Sequence, residues 1–193
     1  MSVNKIIAAL DSRAPQMLEV AGYKLAAVLV PIQQKPDGDH LVLTQRAEML
    51  NSHGGQIAFP GGRIDPCDSS PLAAALRESE EEIGLKSEDV RVLGGLDQVT
   101  AASDYLVTPF VGVIPYPYEF RLNPAEASAV FSVPISALLE TGCFNVEPRV
   151  SPPQRPYPIY HFYCQGRDIW GATARIILKL LELAYGFKED SGH

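Results

Sequence analysis

The chain has 193 residues, 46% of them apolar and 20% charged, and a formal charge of −7. That fits one globular domain, residues 1–193, with enough apolar material for a substantial core. No block of Lys or Arg marks a nucleic-acid surface, and no apolar run is long enough to span a membrane. The three cysteines, Cys67, Cys143 and Cys164, are widely spaced and indicate neither a disulfide framework nor a zinc knuckle. With no signal-peptide pattern in MSVNKIIAALDSR, they point to a reducing, cytoplasmic setting.

In chain order, residues 1–20 read as a short helical lead-in ending near Pro15, part of an N-terminal extension over 1–22 ahead of a core at about 23–186. KLAAVLVPI, 24–32, is rich in β-branched residues and reads as a buried strand. Asp37-Gly38 tips a turn, and HLVLTQR, 40–46, returns as the second strand of a hairpin. AEMLNSHGG, 47–55, reads as a loop, and QIAF, 56–59, as a short strand running into Pro60-Gly61-Gly62. The clearest helix spans 70–83, with Ser70 as N-cap, Pro71 at its first position and Gly84 at its stop. Strands follow at 90–99, 105–114 and 129–134, then a short helix at 135–140. The Pro-rich stretch 147–158 reads as a long loop, 158–164 as a late strand and 170–186 as a long apolar helix, buried in a monomer or in a homodimer. Strands outnumber helices in mixed order, which predicts an α+β or α/β sandwich, helices on both faces of the sheet, rather than a doubly wound nucleotide fold.

The helix at 70–83 carries Arg77-Glu78-Ser79-Glu80-Glu81-Glu82. Four glutamates in five positions repel one another, and the last of them sit where the helix dipole disfavours anions. On a wheel of about 100° per residue, Leu72, Leu76 and Ile83 gather on a core face. Glu78, Glu81 and Glu82 share another face, Ala74 leaves room among them, and Glu80 points to solvent. Three converging carboxylates make a hard-oxygen site of the kind magnesium or manganese prefers. The Phe-Pro-Gly-Gly before the helix is backbone that a phosphate can approach closely.

Gly62 followed by Arg77-Glu78-Ser79-Glu80-Glu81-Glu82-Ile83-Gly84-Leu85 resembles the Nudix box: Gly, five residues, Glu, seven residues, Arg-Glu-U-x-Glu-Glu-x-Gly-U, with U aliphatic. Here one extra residue separates Gly62 from Arg77, and Ser79 takes the aliphatic position. Asp68 stands at the first Glu's distance from Gly62, and Ser69 at its distance from Arg77. The stretch 41–62 is similar to a segment of the coenzyme A pyrophosphatases of this superfamily, with Asn51 where their pattern has a second Arg. The run Ile169–Ile176 is also seen there, and is read as helix packing with Gly171 and Ala172 permitting close contact.

The resemblance implies a Nudix-like mixed sheet with a loop–helix–loop, hydrolysing the pyrophosphate bond of a nucleoside diphosphate derivative. It implies Glu78, Glu81 and Glu82 as ligands of Mg2+ or Mn2+, an orienting role for Arg77, and Gly61 and Gly62 as the phosphate loop. The general base would be a box glutamate (Glu81 or Glu82) or Glu126, and Arg46 would contact phosphate. Within the resemblance the substrate is coenzyme A, or another nucleotide such as ADP-ribose or a dinucleotide; a non-catalytic ligand-binding module is the remaining alternative. His53 and His161 are expected to be structural, and Tyr157, Tyr160, Phe162 and Tyr163 to pack the core rather than stack on a base.

Overall fold

The computed structural model describes residues 3–48, 54–101, 104–151 and 155–189. β1 (Lys24–Lys35) and β2 (Gly38–Arg46) form the expected hairpin, with Lys35 opposite Gly38 across the two-residue turn Pro36-Asp37. Past this tip the strands diverge. β3 (Ile57–Ala58) joins β2, and β4 (Gly61–Arg63) takes the vacated edge of β1, Val28 opposite Gly61. On its other side β1 runs parallel to β7 (Tyr105–Ile114), from Lys24↔Tyr105 to Gln33↔Ile114. β5 (Arg91–Gly95) and β6 (Val99–Ala101) pair with β7, and β8 (Ala127–Pro134) with β2.

Helices cover both faces of this mixed sheet, as the α+β reading predicts. α2 (Pro71–Ile83) lies on one face, over Leu29, Val42 and Ile114. On the other, Val30, Ile32, Leu41, Leu43 and Val111 meet α1 (Val3–Asp11), α4 (Gly171–Tyr185) and a second sheet of three antiparallel strands. That sheet is β9 (Phe144–Ser151), β10 (Arg155–Cys164) and β11 (Arg167–Trp170); the short α3 (Ile135–Leu138) precedes it. The apolar face of α4, Ile176, Ile177, Leu180 and Leu181 among it, is buried within the chain itself. Among the described residues no helix is long and apolar enough to cross a membrane.

Four expectations need correction. The strand predicted over 90–99 is two strands. Asp97 and Gln98 leave the ladder between them to hold the N-terminal segment: the Asp97 carboxylate accepts from Arg13 and from the Gln16 N–H, each at 2.7 Å, and Gln98 Oε1 accepts from the Leu18 N–H at 2.8 Å. The Pro-rich stretch 147–158 lies in the β9–β10 hairpin rather than in a long loop. Tyr163 donates its N–H to the Cys143 carbonyl at 2.7 Å, so alternate residues of β10 bond to β9. Pro148, Pro156 and Pro158 occupy the intervening positions, whose N–H would point out of this ladder, so proline costs no bond there. The helix predicted over 135–140 is shorter, ending at Leu138. Gly171 does not serve close packing: nothing lies within 4 Å of a Cβ built on it, and it takes φ +68° where β11 turns into α4.

Candidate active site

α2 is built as its ends predict. The Ser70 hydroxyl accepts the Ala73 N–H at 3.1 Å, Pro71 opens the first turn, and Gly84 closes the helix at φ +67°. The Arg121 and Asn123 N–H groups then bond to the Ile83 and Glu82 carbonyls, each at 2.9 Å. What the wheel misplaces is the helix rotation. Leu72 is only half-buried, whereas Ala74, Ala75, Ser79, Glu82 and Ile83 are buried. Small side chains face the sheet because α2 lies close upon β1, with Ala74 and Ala75 against Ala27. Ser79 fits where an aliphatic residue was expected because its hydroxyl donates to the Ala75 carbonyl one turn back, at 2.6 Å.

This rotation carries Glu82 inward. It is 3% exposed. Its Oε2 accepts the Gly61 N–H at 3.2 Å, and its Oε1 meets Arg46 Nη1 at 3.4 Å. Burial pushes the Glu82 carboxyl up to about 7; the Gly61 N–H and Arg46 pull it down, and Glu126 and Glu78 push it further up. Glu78 is also raised, by burial first, and Arg77 offsets part of this. The two glycines allow the assembly. A Cβ on Gly61 would strike the Ala27 carbonyl and lie 2.6 Å from Val28 Cα, and one on Gly62 would strike the Glu78 carboxylate.

Arg77 is saturated. Its Nε donates to Asp68 Oδ1 at 3.0 Å and its Nη2 to Asp68 Oδ2 at 3.0 Å and to the Arg63 carbonyl at 3.3 Å. Its Nη1 donates to Glu78 at 2.9 Å and to Glu81 at 3.0 Å. These contacts use all five N–H groups of a guanidinium.

The expected trio therefore divides. Glu81 is half-exposed and turned to Arg77, Glu82 is buried and turned to Arg46 and Gly61, and Glu78 stands between them. Glu126, a loop residue, is within electrostatic reach of both Glu78 and Glu82. Asn123, which sequence reasoning missed, donates to Glu126 Oε1 at 3.0 Å and accepts the Ala125 N–H at 3.1 Å. The signal was there: Asn before Pro starts a turn whose side chain bonds two residues on.

Arg46, Gly61, Gly62, Glu78, Glu82 and Glu126 thus share one site, with Arg77 and Glu81 at its flank. Among the described residues no group of three His, Cys, Asp or Glu side chains stands ready as a metal cage. The donor chemistry nonetheless fits a hard divalent cation: Glu82 is buried, and Glu78 and Glu126 add negative charge rather than relieve it.

Outside the site, His161 is a packed residue, paired with Asp168 at 2.9 Å and stacked between Tyr163 and Trp170. Phe162 is fully buried and Tyr160 stacks on Phe144, as core packing predicts, whereas Tyr163 is half-exposed. Asn51, His53 and the Tyr157 side chain lie outside the described residues.

The NUDIX domain family matches residues 23–151. The chain is 43% identical over 157 residues to the uncharacterized Nudix hydrolase NudL of Photorhabdus laumondii, covering 81% of this chain and 83% of the relative. It is 36% identical over 189 residues to NudL of Salmonella newport, covering 97% of each. Among solved structures, a MutT/nudix family protein from Enterococcus faecalis shares the fold, with a TM-score of 0.54 at 16% identity over 94% of this chain and 69% of that one. With the box helix and glycine loop in place, the chain belongs to the Nudix family and is a Nudix hydrolase, one of the pyrophosphohydrolases.

Proposed function

We propose that this hydrolase cleaves the pyrophosphate bond of coenzyme A or its derivatives, giving 3′,5′-ADP and phosphopantetheine or its acyl form. The observation that carries the chemistry is the buried Glu82 set among Glu78, Glu126, Arg46 and the Gly61 N–H. The substrate rests on the resemblance of residues 41–62 to coenzyme A pyrophosphatases.

Glu78, Glu82 and Glu81 would hold Mg2+ or Mn2+. When bound, such an ion would supply positive charge against the nonbridging phosphate oxygens and make water more acidic. Glu126 takes the proton from the water that attacks one phosphorus, the P–O bond to the bridging oxygen breaks, and the other phosphate leaves. Asn123 aims Glu126. Arg46 contacts a phosphate through its remaining N–H groups; its buried Nε has no hydrogen-bond partner. Gly61 and Gly62 let the phosphates approach the backbone. Arg77 holds the carboxylates in position and does not touch the substrate. The free thiols of Cys67, Cys143 and Cys164 fit a cytoplasmic enzyme.

Purified protein with Mg2+ or Mn2+ is incubated separately with coenzyme A, ADP-ribose, NADH and a dinucleoside polyphosphate, and products are resolved by chromatography. We expect 3′,5′-ADP from coenzyme A, reduced about 10²–10⁴-fold in Glu126→Gln. Preferential turnover of ADP-ribose overturns the substrate reading. Tight binding of one ligand with no turnover of any overturns catalysis.

A further inference from the structure

Outside the hydrolytic site, the three-stranded sheet brings together a second set of chemistry-bearing side chains: Glu147 on β9, His161 on β10 and Asp168 on β11. This sheet packs on the face of the main sheet opposite α2. We propose that His161 Nε2 and Glu147 bind a divalent cation of the zinc type there, with Asp168 orienting the imidazole and water completing the coordination.

The register makes the three neighbours. Trp170 stands opposite His161, Asp168 opposite Tyr163, and Glu147 opposite Ile159. Ile159, His161 and Tyr163 alternate onto one face of β10, and their cross-strand partners share that face. Glu147 and Asp168 are thus diagonal neighbours of His161, within reach of its ring. The imidazole is 7% exposed and lies between Tyr163 and Trp170, whose rings are tilted only 11° and 17° from it. Its Nδ1 meets both Asp168 oxygens, at 2.9 and 3.2 Å. An ionised carboxylate only accepts, so Nδ1 carries the N–H, and the neutral ring turns the Nε2 lone pair to the other side. A carboxylate holds a metal-ligating histidine in this same way.

That Nε2 is buried and has no hydrogen-bond partner, and Glu147 Oε2 lies 3.5 Å from it. The gap is longer than the roughly 2.7–3.2 Å of an N–H···O bond. It matches the separation of about 3.3–3.5 Å between a nitrogen and an oxygen bound to one tetrahedral zinc. With the neutral ring, a lone pair and a carboxylate oxygen face each other across it, two acceptors with no donor. Glu147 is half-exposed, which leaves the outer positions of the ion to water. Among the described residues no third His, Cys, Asp or Glu closes a cage, so the ion exchanges with solvent. An imidazole ligand favours zinc, copper or nickel over magnesium, which separates this site chemically from the oxygen-only donors of α2.

The test is a Zn2+ titration of the full chain carrying isotope-labelled histidine, with the ring nitrogens of His161 followed by NMR and Mg2+ titrated in parallel. We expect a saturable shift of the His161 Nε2 signal with Zn2+, with Nδ1 still protonated, and no shift with Mg2+. Glu147→Gln and Asp168→Asn change solvent-accessible carboxylates and should leave the fold intact. Each should weaken Zn2+ binding at His161 by about 10-fold or more. His161 signals that stay in place at millimolar Zn2+ overturn the proposal. A proton found on Nε2 in the metal-free protein also overturns it, because Glu147 would then be the partner of an N–H. Zn2+ affinity at His161 that is the same in Glu147→Gln as in the wild type removes Glu147 from the site and overturns it as well. Equal affinity in Asp168→Asn contradicts the orienting role of Asp168. None of these outcomes depends on the substrate of the hydrolytic site.

Discussion

Two arginines meet the glutamates of α2, Arg77 from within the helix and Arg46 from β2, and their surroundings differ sharply. Arg77 spends all five N–H groups on Asp68, Glu78, Glu81 and the Arg63 carbonyl. Among the described residues, Arg46 reaches Glu82 only at 3.4 Å, and its buried Nε has no hydrogen-bond partner. Glu82, facing Arg46, is correspondingly short of neutralisation, whereas Asp68, facing Arg77, is held below the usual carboxylate range by that guanidinium. A saturated charge network is architecture. An undersatisfied one in a buried site is where a ligand gains most by arriving.

The largest expected effect separates activity from stability. Glu82→Gln should lower kcat by at least about 10³-fold, because it removes a proposed ligand of the ion. The same change should stabilise the metal-free protein at pH 8 by on the order of 2 kcal/mol, since it removes a buried charge. A loss of both activity and stability would mean that Glu82 is adequately neutralised already. Steady-state kinetics and denaturant unfolding measure the two.

The pH dependence follows from the same residue. The folded-state pKa of Glu82, about 7, lies above its ordinary value of 4.5, so the folded protein holds a proton that the unfolded chain releases. Its contribution is therefore fully present below about pH 4.5, is lost as pH rises to about 7, and stays lost above that. The loss amounts to on the order of 3 kcal/mol. Calorimetric unfolding of metal-free wild type minus Glu82→Gln should show this slope, and a flat difference would contradict it.

On the Arg77 side the expected losses are structural. Gly62→Ala places a methyl against the Glu78 carboxylate, which must shift; a drop of about 10-fold in kcat with a smaller change in KM is expected. Ser79→Leu, restoring an aliphatic residue at a fully buried position, should destabilise by roughly 1–3 kcal/mol through overpacking against β1, as read from chemical denaturation. A neutral Ser79→Leu would mean that the helix is not held close to the strand.

Much of the fold was legible. The hairpin, the α2 caps and β7 follow from turn chemistry, capping residues and β-branched runs. The misread parts are those where tertiary contacts override local pattern. The prolines of β9 and β10 look like loop residues until the register puts them at non-bonding positions, and the 90–99 run looks continuous until Asp97 turns to Arg13. At the site, residue types and spacing gave the glycines and glutamates, but a hydrophobic wheel could not give the rotation of α2. That depends on Ala74, Ala75 and Ser79 lying against the sheet, and it decides that Glu82 is buried and Glu81 is not. Asn123 was legible as a turn residue, but that its bond to Glu126 lies beside Glu82 depends on the loop meeting α2 through the Asn123 N–H and the Glu82 carbonyl.

The central claim is that the unneutralised charge around Glu82 is where a divalent cation is received. Mn2+ titration of metal-free wild type and Glu82→Gln by isothermal calorimetry at pH 8 tests it most directly. The account predicts saturable binding to the wild type, weakened at least about 10-fold by the substitution, and a rise in stability of about 2.7 kcal/mol at 100 times the dissociation constant. Equal Mn2+ affinity in the two proteins, or binding that leaves wild-type stability unchanged, would contradict it.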